Sequence, residues 1–161
     1  MVIEVEMSEI KEKKKRIYPE RLTAEHIPEV SGLEKLCFSS PWSESSLELL
    51  TKEGIGMGMV CHSDGIVCAY GGMLCVVDEG QMTNIATHPD YRRRGYGRAI
   101  VEAFKKHAKY NGLNTISLEV RESNKAAIEL YSSLGFKVTG KRKDFYTKPT
   151  ESALIMICEI K

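Results

Sequence analysis

Two patterns in this sequence have residue types and spacing suited to chemistry. One is the run Arg92-Arg93-Arg94-Gly95-Tyr96-Gly97, followed by Arg98 and an amphipathic stretch. Arginine supplies charge-assisted donors in a planar fork, and glycine clears side chains from places where an anion must approach the backbone. At the start of a helix such a run gathers free N–H groups and the positive end of the helix dipole. The chemistry is the grip on a diphosphate. There is no Gly-Lys-Ser/Thr for a P-loop, and the third glycine of the dinucleotide fingerprint is missing. A basic turn ahead of an exposed helix is the plainer account of the same residues. The other pattern is a carboxylate and a phenol twelve positions apart, Glu119 and Tyr131, two groups able to carry protons.

The flanking elements would hold these groups in place. A strand over Gln81–Thr87, stopped by Pro89, leads into the arginine run, and a helix follows from Gly95 to about Asn111 with Ile100, Val101, Phe104 and Ala108 on one side. Thr115 to Val120 alternates as a strand: Ile116, Leu118 and Val120 face one way, Ser117 and Glu119 the other. A further helix opens at Ser123 or Asn124 and ends at Gly135, with Asn124, Ile128 and Tyr131 sharing a face. Upstream, Arg16 to Leu22 is strand-like. Thr23 caps a helix through about Phe38, whose imperfect apolar face is Ile27, Val30, Leu33 (or Glu34), Leu36 and Phe38. Ser43 caps a second helix carrying Leu47, Leu49 and Leu50. Gly54–His62 and Ile66–Val77 form a hairpin about Ser63-Asp64-Gly65, and Asp78-Glu79-Gly80 turns the chain into the Gln81 strand. Two strands close the chain. The expected class is α/β (α+β), with strands and helices mixed in one compact unit.

Bulk properties narrow the functions further. Apolar residues at 42% and charged residues at 28% suit a folded domain and argue against disorder. We expect one domain over 16–161, preceded by a polar segment over 1–15. That segment's basic stretch, Lys11 to Arg16, lies beside Glu4, Glu6, Glu9 and Glu12, and is either a solvated, partly mobile tail or a binding arm. A net charge of +1 provides no general field toward nucleic acid or anionic lipid, so neither is an expected partner. Apolar runs are too short to span a membrane, and no secretory pattern opens the chain, which points to a cytoplasmic protein, monomeric or homodimeric. The five cysteines include no Cys-x-x-Cys pair, and the four histidines lack ligand spacing, so reduced thiols and no metal are expected.

Taken together, Arg92 to Gly97 resembles the Arg/Gln-x-x-Gly-x-Gly/Ala signature of the GNAT superfamily of N-acetyltransferases. The likeness continues through Thr83-Asn84-Ile85-Ala86-Thr87-His88-Pro89, through Leu118-Glu119-Val120-Arg121-Glu122-Ser123-Asn124-Lys125-Ala126-Ala127, and through Leu130-Tyr131-Ser132-Ser133-Leu134-Gly135-Phe136. The last two stretches, with Cys37-Phe38 and Pro41-Trp42-Ser43, are most similar to the ribosomal-protein-alanine branch, which acetylates protein N-termini. The resemblance implies a mixed sheet of about six or seven strands with about four helices, splayed between its central strands where acetyl-CoA enters. It implies that Arg92, Arg93, Arg94, Gly95, Tyr96, Gly97 and Arg98 hold the diphosphate. Around Ala86, Ile85 and Thr87 would supply main-chain bonds to the pantetheine arm. Two departures fall where the branch sets its acceptor: Phe145-Tyr146 replaces paired tyrosines, and Glu151-Ser152-Ala153 stands before the last strand.

Acetyl transfer from a thioester to an amine needs a neutral amine, a held oxyanion and a proton for the departing thiolate. By resemblance Glu119 is the general base, directly or through a water, and Tyr131 the general acid; a solvent-facing glutamate and a core tyrosine are the structural alternatives. Asn124 either bonds the cofactor or caps its helix. Trp42, Phe145 and Tyr146 either line an acceptor groove or, for Trp42 above all, pack the core. Neutralising an α-amine (pKa about 7.7–8.0) at pH 7 costs roughly 1 kcal/mol, against roughly 4.6 kcal/mol for lysine, so a lone carboxylate suits the α-amine. The expected acceptor is a protein or peptide N-terminus, a ribosomal protein included. A small amine such as a polyamine or amino sugar, a lysine, and a non-catalytic acetyl-CoA sensor are the alternatives. A cationic small amine would call for acid in its pocket, for which Asp78 and Glu79 are the nearest candidates.

Overall fold

The computed structural model describes residues 15–161, so nearly all of the expected N-terminal segment lies outside the described residues. Seven strands form one sheet in the order β1-β2-β3-β4-β5-β7-β6. They are β1 (Glu20–Arg21), β2 (Gly56–Ser63), β3 (Ile66–Val76), β4 (Glu79–Thr87), β5 (Thr115–Arg121), β6 (Lys137–Tyr146) and β7 (Glu151–Glu159). Four α-helices accompany them: α1 (Ile27–Cys37), α2 (Glu44–Glu48), α3 (Tyr96–Tyr110) and α4 (Lys125–Ser133). This is the expected mixed α+β architecture. No helix among the described residues is long and apolar enough to cross a membrane.

The local chemistry of each element accounts for its limits. The β2–β3 hairpin turns on Asp64 and Gly65 at φ 52° and 77°, the two positive values a tight two-residue turn demands. Ser43 caps α2 by accepting from the Ser46 N–H. Thr23 opens a 3-10 turn, Ala24–His26, and α1 starts only after it with Pro28 in its first turn. The strand expected from Arg16 to Leu22 contracts to Glu20–Arg21. Pro19 lacks an N–H to give a ladder, and it stands directly before that short strand. The turn into β4 is made one position early, by Val77 at φ 56° and Asp78, which leaves Glu79 and Gly80 inside the strand.

Consecutive glycines show how both faces of the sheet are covered. A Cβ on Gly71 would lie 2.6 Å from Ile100 Cγ2 of α3, whereas one on Gly72 would lie 2.7 Å from Leu50 Cδ1 on the other face. Ile100, Val101, Phe104 and Ala108 of α3 are fully buried against Ile116, Leu118 and Val120 of β5, as the alternation anticipated. Each valine, isoleucine, leucine or phenylalanine among them contributes about 1.5–3 kcal/mol on burial. Leu22, Val30, Leu33, Leu47 and Leu50 form the second core under α1 and α2.

The central joint creates the functional feature. β4 and β5 are parallel and pair only at Glu79–Gln81 with Thr115–Ser117. Beyond that point β5 pairs with β7 and β4 with β3, and the two central strands separate. The sheet is therefore split, leaving one edge of β4 and one edge of β5 without a partner strand.

Candidate active site

Into this split opens a cleft of about 1270 Å³. The β4 wall follows from strand parity. The His88 N–H donates to Cys68 of β3 at 2.8 Å, and Ala86 stands opposite Tyr70. Alternation turns the main-chain groups of Ile85 and Thr87 the other way, into the split. The Thr87 carbonyl accepts there from Arg92 Nε at 3.1 Å and from Cys37 Sγ at 3.6 Å. Arg92 thus binds the end of β4 as well as lining the cleft.

The floor at the far end is the start of α3. Gly95 is its N-cap at φ 92°, a left-handed conformation that glycine adopts without steric cost. No side chain caps this terminus, and no acceptor for the N–H groups of Tyr96, Gly97 and Arg98 is found among the described residues. Arg92, Arg93, Gly95, Tyr96, Gly97 and Arg98 all line the cleft. Arg94 does not. Its guanidinium lies 5.2 Å from the centre of the Tyr91 ring, outside the cleft lining. Arg94 therefore differs from the other arginines of the run in stacking on an aromatic face. A row of unsatisfied N–H groups with several guanidinium groups is a donor set that fits the diphosphate of acetyl-CoA.

On the opposite wall, β5 and α4 bring in the two candidate proton carriers. Glu119 sits on the half-exposed face of β5 with Oε1 3.5 Å from Arg142 Nη2 on β6. Tyr131 lines the same cleft from α4, its ring 5.9 Å from that of Phe136, and burial pushes its phenol up to about 12. Packing and cleft lining therefore coexist at Tyr131. Asn124 caps α4 by accepting from the Ala127 N–H at 3.2 Å through Oδ1, and it also lines the cleft.

The third side is made by Trp42, by the end of β6 and by the loop that leads to β7. Trp42 packs on the second core and also lines the cleft, so the two accounts of it again hold together. Phe145 and Tyr146 meet edge to face with ring centres 5.1 Å apart. Burial, and next the charge of Glu119, push the Tyr146 phenol up to about 12. Arg121 organises this loop: it donates to the carbonyls of Thr147 and Pro149 at 3.0 Å each, pairs with Glu151 at 3.2 Å, and lies 4.5 Å from the Tyr146 ring centre. Glu151 also accepts from the Ser123 N–H at 2.6 Å, and these bonds hold its carboxyl below the ordinary range.

Two residues escaped the sequence reading. Arg121 looked like any strand-end cation, since nothing local signals that its partners lie in a loop 26–30 positions on. Glu34 was entered only as an alternative to Leu33 on the α1 face, and it proves fully buried beside the cleft. Conversely, Asp78 and Glu79 stand at the closed end of the split, where Glu79 pairs with Thr115 and Asp78 accepts from Asn114. They supply no acid to the cleft.

With that geometry in place, the chain can be set beside known proteins. Residues 27–136 match the profile of the acetyltransferase (GNAT) family. The [ribosomal protein bS18]-alanine N-acetyltransferase of Escherichia coli K12 is 36% identical over 136 residues, covering 83% of this chain and 91% of that protein. Its counterpart from Salmonella typhimurium is 35% identical over 143 residues, covering 86% and 95%. The crystal structure of the ribosomal-protein-S18-alanine N-acetyltransferase from Escherichia coli superposes with a TM-score of 0.82 at 34% identity, over 91% of this chain and 95% of that one.

Proposed function

The chain belongs to the acetyltransferase (GNAT) family, and from that premise we propose that it transfers an acetyl group from acetyl-CoA to the α-amine of a protein or peptide N-terminus, with ribosomal protein bS18 the candidate acceptor. When bound, acetyl-CoA supplies an acetyl group activated as a thioester. The first turn of α3, with Arg92, Arg93 and Arg98, holds the diphosphate, and the N–H groups of Ile85 and Thr87 extend the β4 edge along the arm. Glu119 takes the proton that an acceptor ammonium must lose, and Arg142 keeps that carboxylate oriented. Tyr131 keeps its phenolic proton throughout the physiological range and can give it to a departing thiolate.

The observation that carries the choice of acceptor is the shape and charge of the cleft. Trp42 lines it together with Phe145, Tyr146, Thr147, Lys148 and Pro149, so an extended chain bound there would meet aromatic side chains from two parts of the fold. Glu119 is the one carboxylate lining it among the described residues, against Arg92, Arg93, Arg98, Arg121 and Lys148. Arg92, Arg93 and Arg98 serve the diphosphate and Arg121 pairs with Glu151, so what disfavours a polyamine is the single carboxylate available to its several ammonium groups, Asp78 and Glu79 lying outside the cleft. A sensor module would need neither Glu119 nor Tyr131 at the split.

The test is acetyl-CoA turnover on a peptide array that pairs each free N-terminus with an N-terminally blocked peptide carrying lysine. Incorporation at free α-amines, led by the bS18 N-terminal sequence, is the expected result. Incorporation confined to lysine side chains, or to small amines supplied separately, would overturn the choice of acceptor.

A further inference from the structure

Glu34 is a carboxylate with no exposed surface, set in α1 one layer behind the cleft. Its Oε2 accepts from the Trp42 main-chain N–H at 2.9 Å, and its Oε1 accepts from Asn84 Nδ2 at 2.8 Å and from the Tyr70 hydroxyl. No lysine, arginine or histidine lies in salt-bridge reach of it among the described residues. Burial, and then the charge of Glu34, raise the Tyr70 phenol above its ordinary value, so Tyr70 remains a donor. A buried charge carried by neutral donors alone is costly to keep, and removing any donor leaves it poorly satisfied.

What the three donors belong to gives the group its meaning. Trp42 and Asn84 both line the cleft, on different walls. Asn84 falls where β3 and β4 lose register: Gly71 faces Ile85 but Met73 faces Met82, so Thr83 and Asn84 stand opposite Gly72 alone. That bulge lies between the last β4–β5 pairing, Gln81 with Ser117, and Ile85, the first main-chain group turned into the split. Bulges re-aim a strand beside a site and need something to hold them.

We propose that Glu34 is a positioning residue for acetyl transfer, fixing the spacing between the Trp42 wall that receives the acceptor and the β4 bulge that leads into the cofactor-facing edge. This rests on the transfer reaction read above. Glu34 touches neither substrate nor the reacting atoms; it acts through Trp42 and Asn84. The diphosphate grip at α3 is anchored by Gly95 and the core face of α3, so loosening Glu34 leaves it in place.

The experiment uses N84A, Y70F and E34Q, each assayed with whichever amine the wild-type chain acetylates fastest. N84A and Y70F each delete one donor, whereas E34Q presents an amide N–H₂ where donors converge. For N84A the acceptor KM rises about tenfold, the size expected for a lost hydrogen bond to a charged group, and kcat falls with it. Y70F moves in the same direction, and E34Q by more. Titrated acetyl-CoA affinity falls by less than the acceptor KM rises in all three, since the diphosphate grip is separate and only the β4 edge along the arm is loosened. Should E34Q fail to fold, N84A and Y70F decide the matter. Folded variants with a lower melting temperature and reduced kcat at unchanged acceptor KM would indicate stability alone and overturn the assignment. A wild-type chain that prefers lysine overturns the α-amine reading while this assignment is still decided on that amine; one that acetylates nothing overturns both.

Discussion

At Glu119 one carboxylate serves two partners in turn. Arg142 lies 3.5 Å from Oε1, and the proposed reaction would have the same carboxylate, which lines the cleft, accept the proton of the acceptor. Replacing Glu119 by Gln keeps the shape and removes the basicity, so kcat should fall roughly 10²–10⁴-fold at pH 7 with acetyl-CoA affinity unchanged. Equal loss of cofactor binding would show that Glu119 serves structure instead. Tyr131 predicts a different signature. With its phenol at about 12, the acid form persists well above neutrality. A plot of kcat/KM against pH should therefore rise with the acceptor amine, midpoint near 7.7–8.0 for an α-amine, and show no falling limb below about pH 10. Tyr131→Phe should lower the plateau and leave the rising limb where it is; a displaced midpoint would assign the limb to the enzyme. Alternation and helical spacing fixed the faces of Glu119 and Tyr131, whereas the roles proposed for them came from family resemblance. Glu34 and Arg121 were not legible, since their partners converge only through tertiary structure: a charged residue on an apolar helix face gives no hint that Trp42, Tyr70 and Asn84 arrive to bond it.

The elements around the diphosphate loop were the most legible part of the chain, because Pro89, Gly95 and the apolar face of α3 are all local signals. Their weak points are equally local. Gly95 is held at φ 92°, where a side chain costs roughly 1–2 kcal/mol in backbone strain. Gly95→Ala should weaken acetyl-CoA binding about five- to thirtyfold through misdirection of the first-turn N–H groups, measurable by calorimetry. Affinity matching wild type would mean that the arginines alone hold the cofactor. Gly71 tests the packing behind the loop. A methyl there would come within 2.6 Å of Ile100 and 3.1 Å of Phe104, so Gly71→Ala should destabilise by about 1–3 kcal/mol in chemical denaturation. Boundaries were less legible where chain entry is set by neighbours. β1 shrank behind Pro19, and the turn before β4 fell on Val77, a β-branched residue that sequence rules keep out of positive φ, here 95% exposed.

Across the whole molecule the decisive event is the parting of β4 and β5, and no residue announces it. Their ladder runs for three residue pairs and then ends, because β5 continues with β7 while β4 follows β3 through its bulge. The expectation of a splayed sheet came from family resemblance; strand periodicity alone would have allowed an unbroken sheet. An open pair of edges has a dynamic consequence, since amides without a ladder partner exchange with solvent more freely than their paired neighbours. Parity assigns the Ile85 and Thr87 N–H groups to the split and the Ala86 N–H to β3. In hydrogen exchange resolved by residue, Ile85 and Thr87 should therefore be fast and Ala86 slow in the free protein. Acetyl-CoA should slow the first two and leave Ala86 nearly unchanged, along with slowing Tyr96, Gly97 and Arg98. Coenzyme A without its acetyl group should protect the same amides, because the arm and the diphosphate are common to both. If saturating acetyl-CoA protected α3 alone, the diphosphate grip would stand and the β4 edge would lose its assigned part in holding the arm.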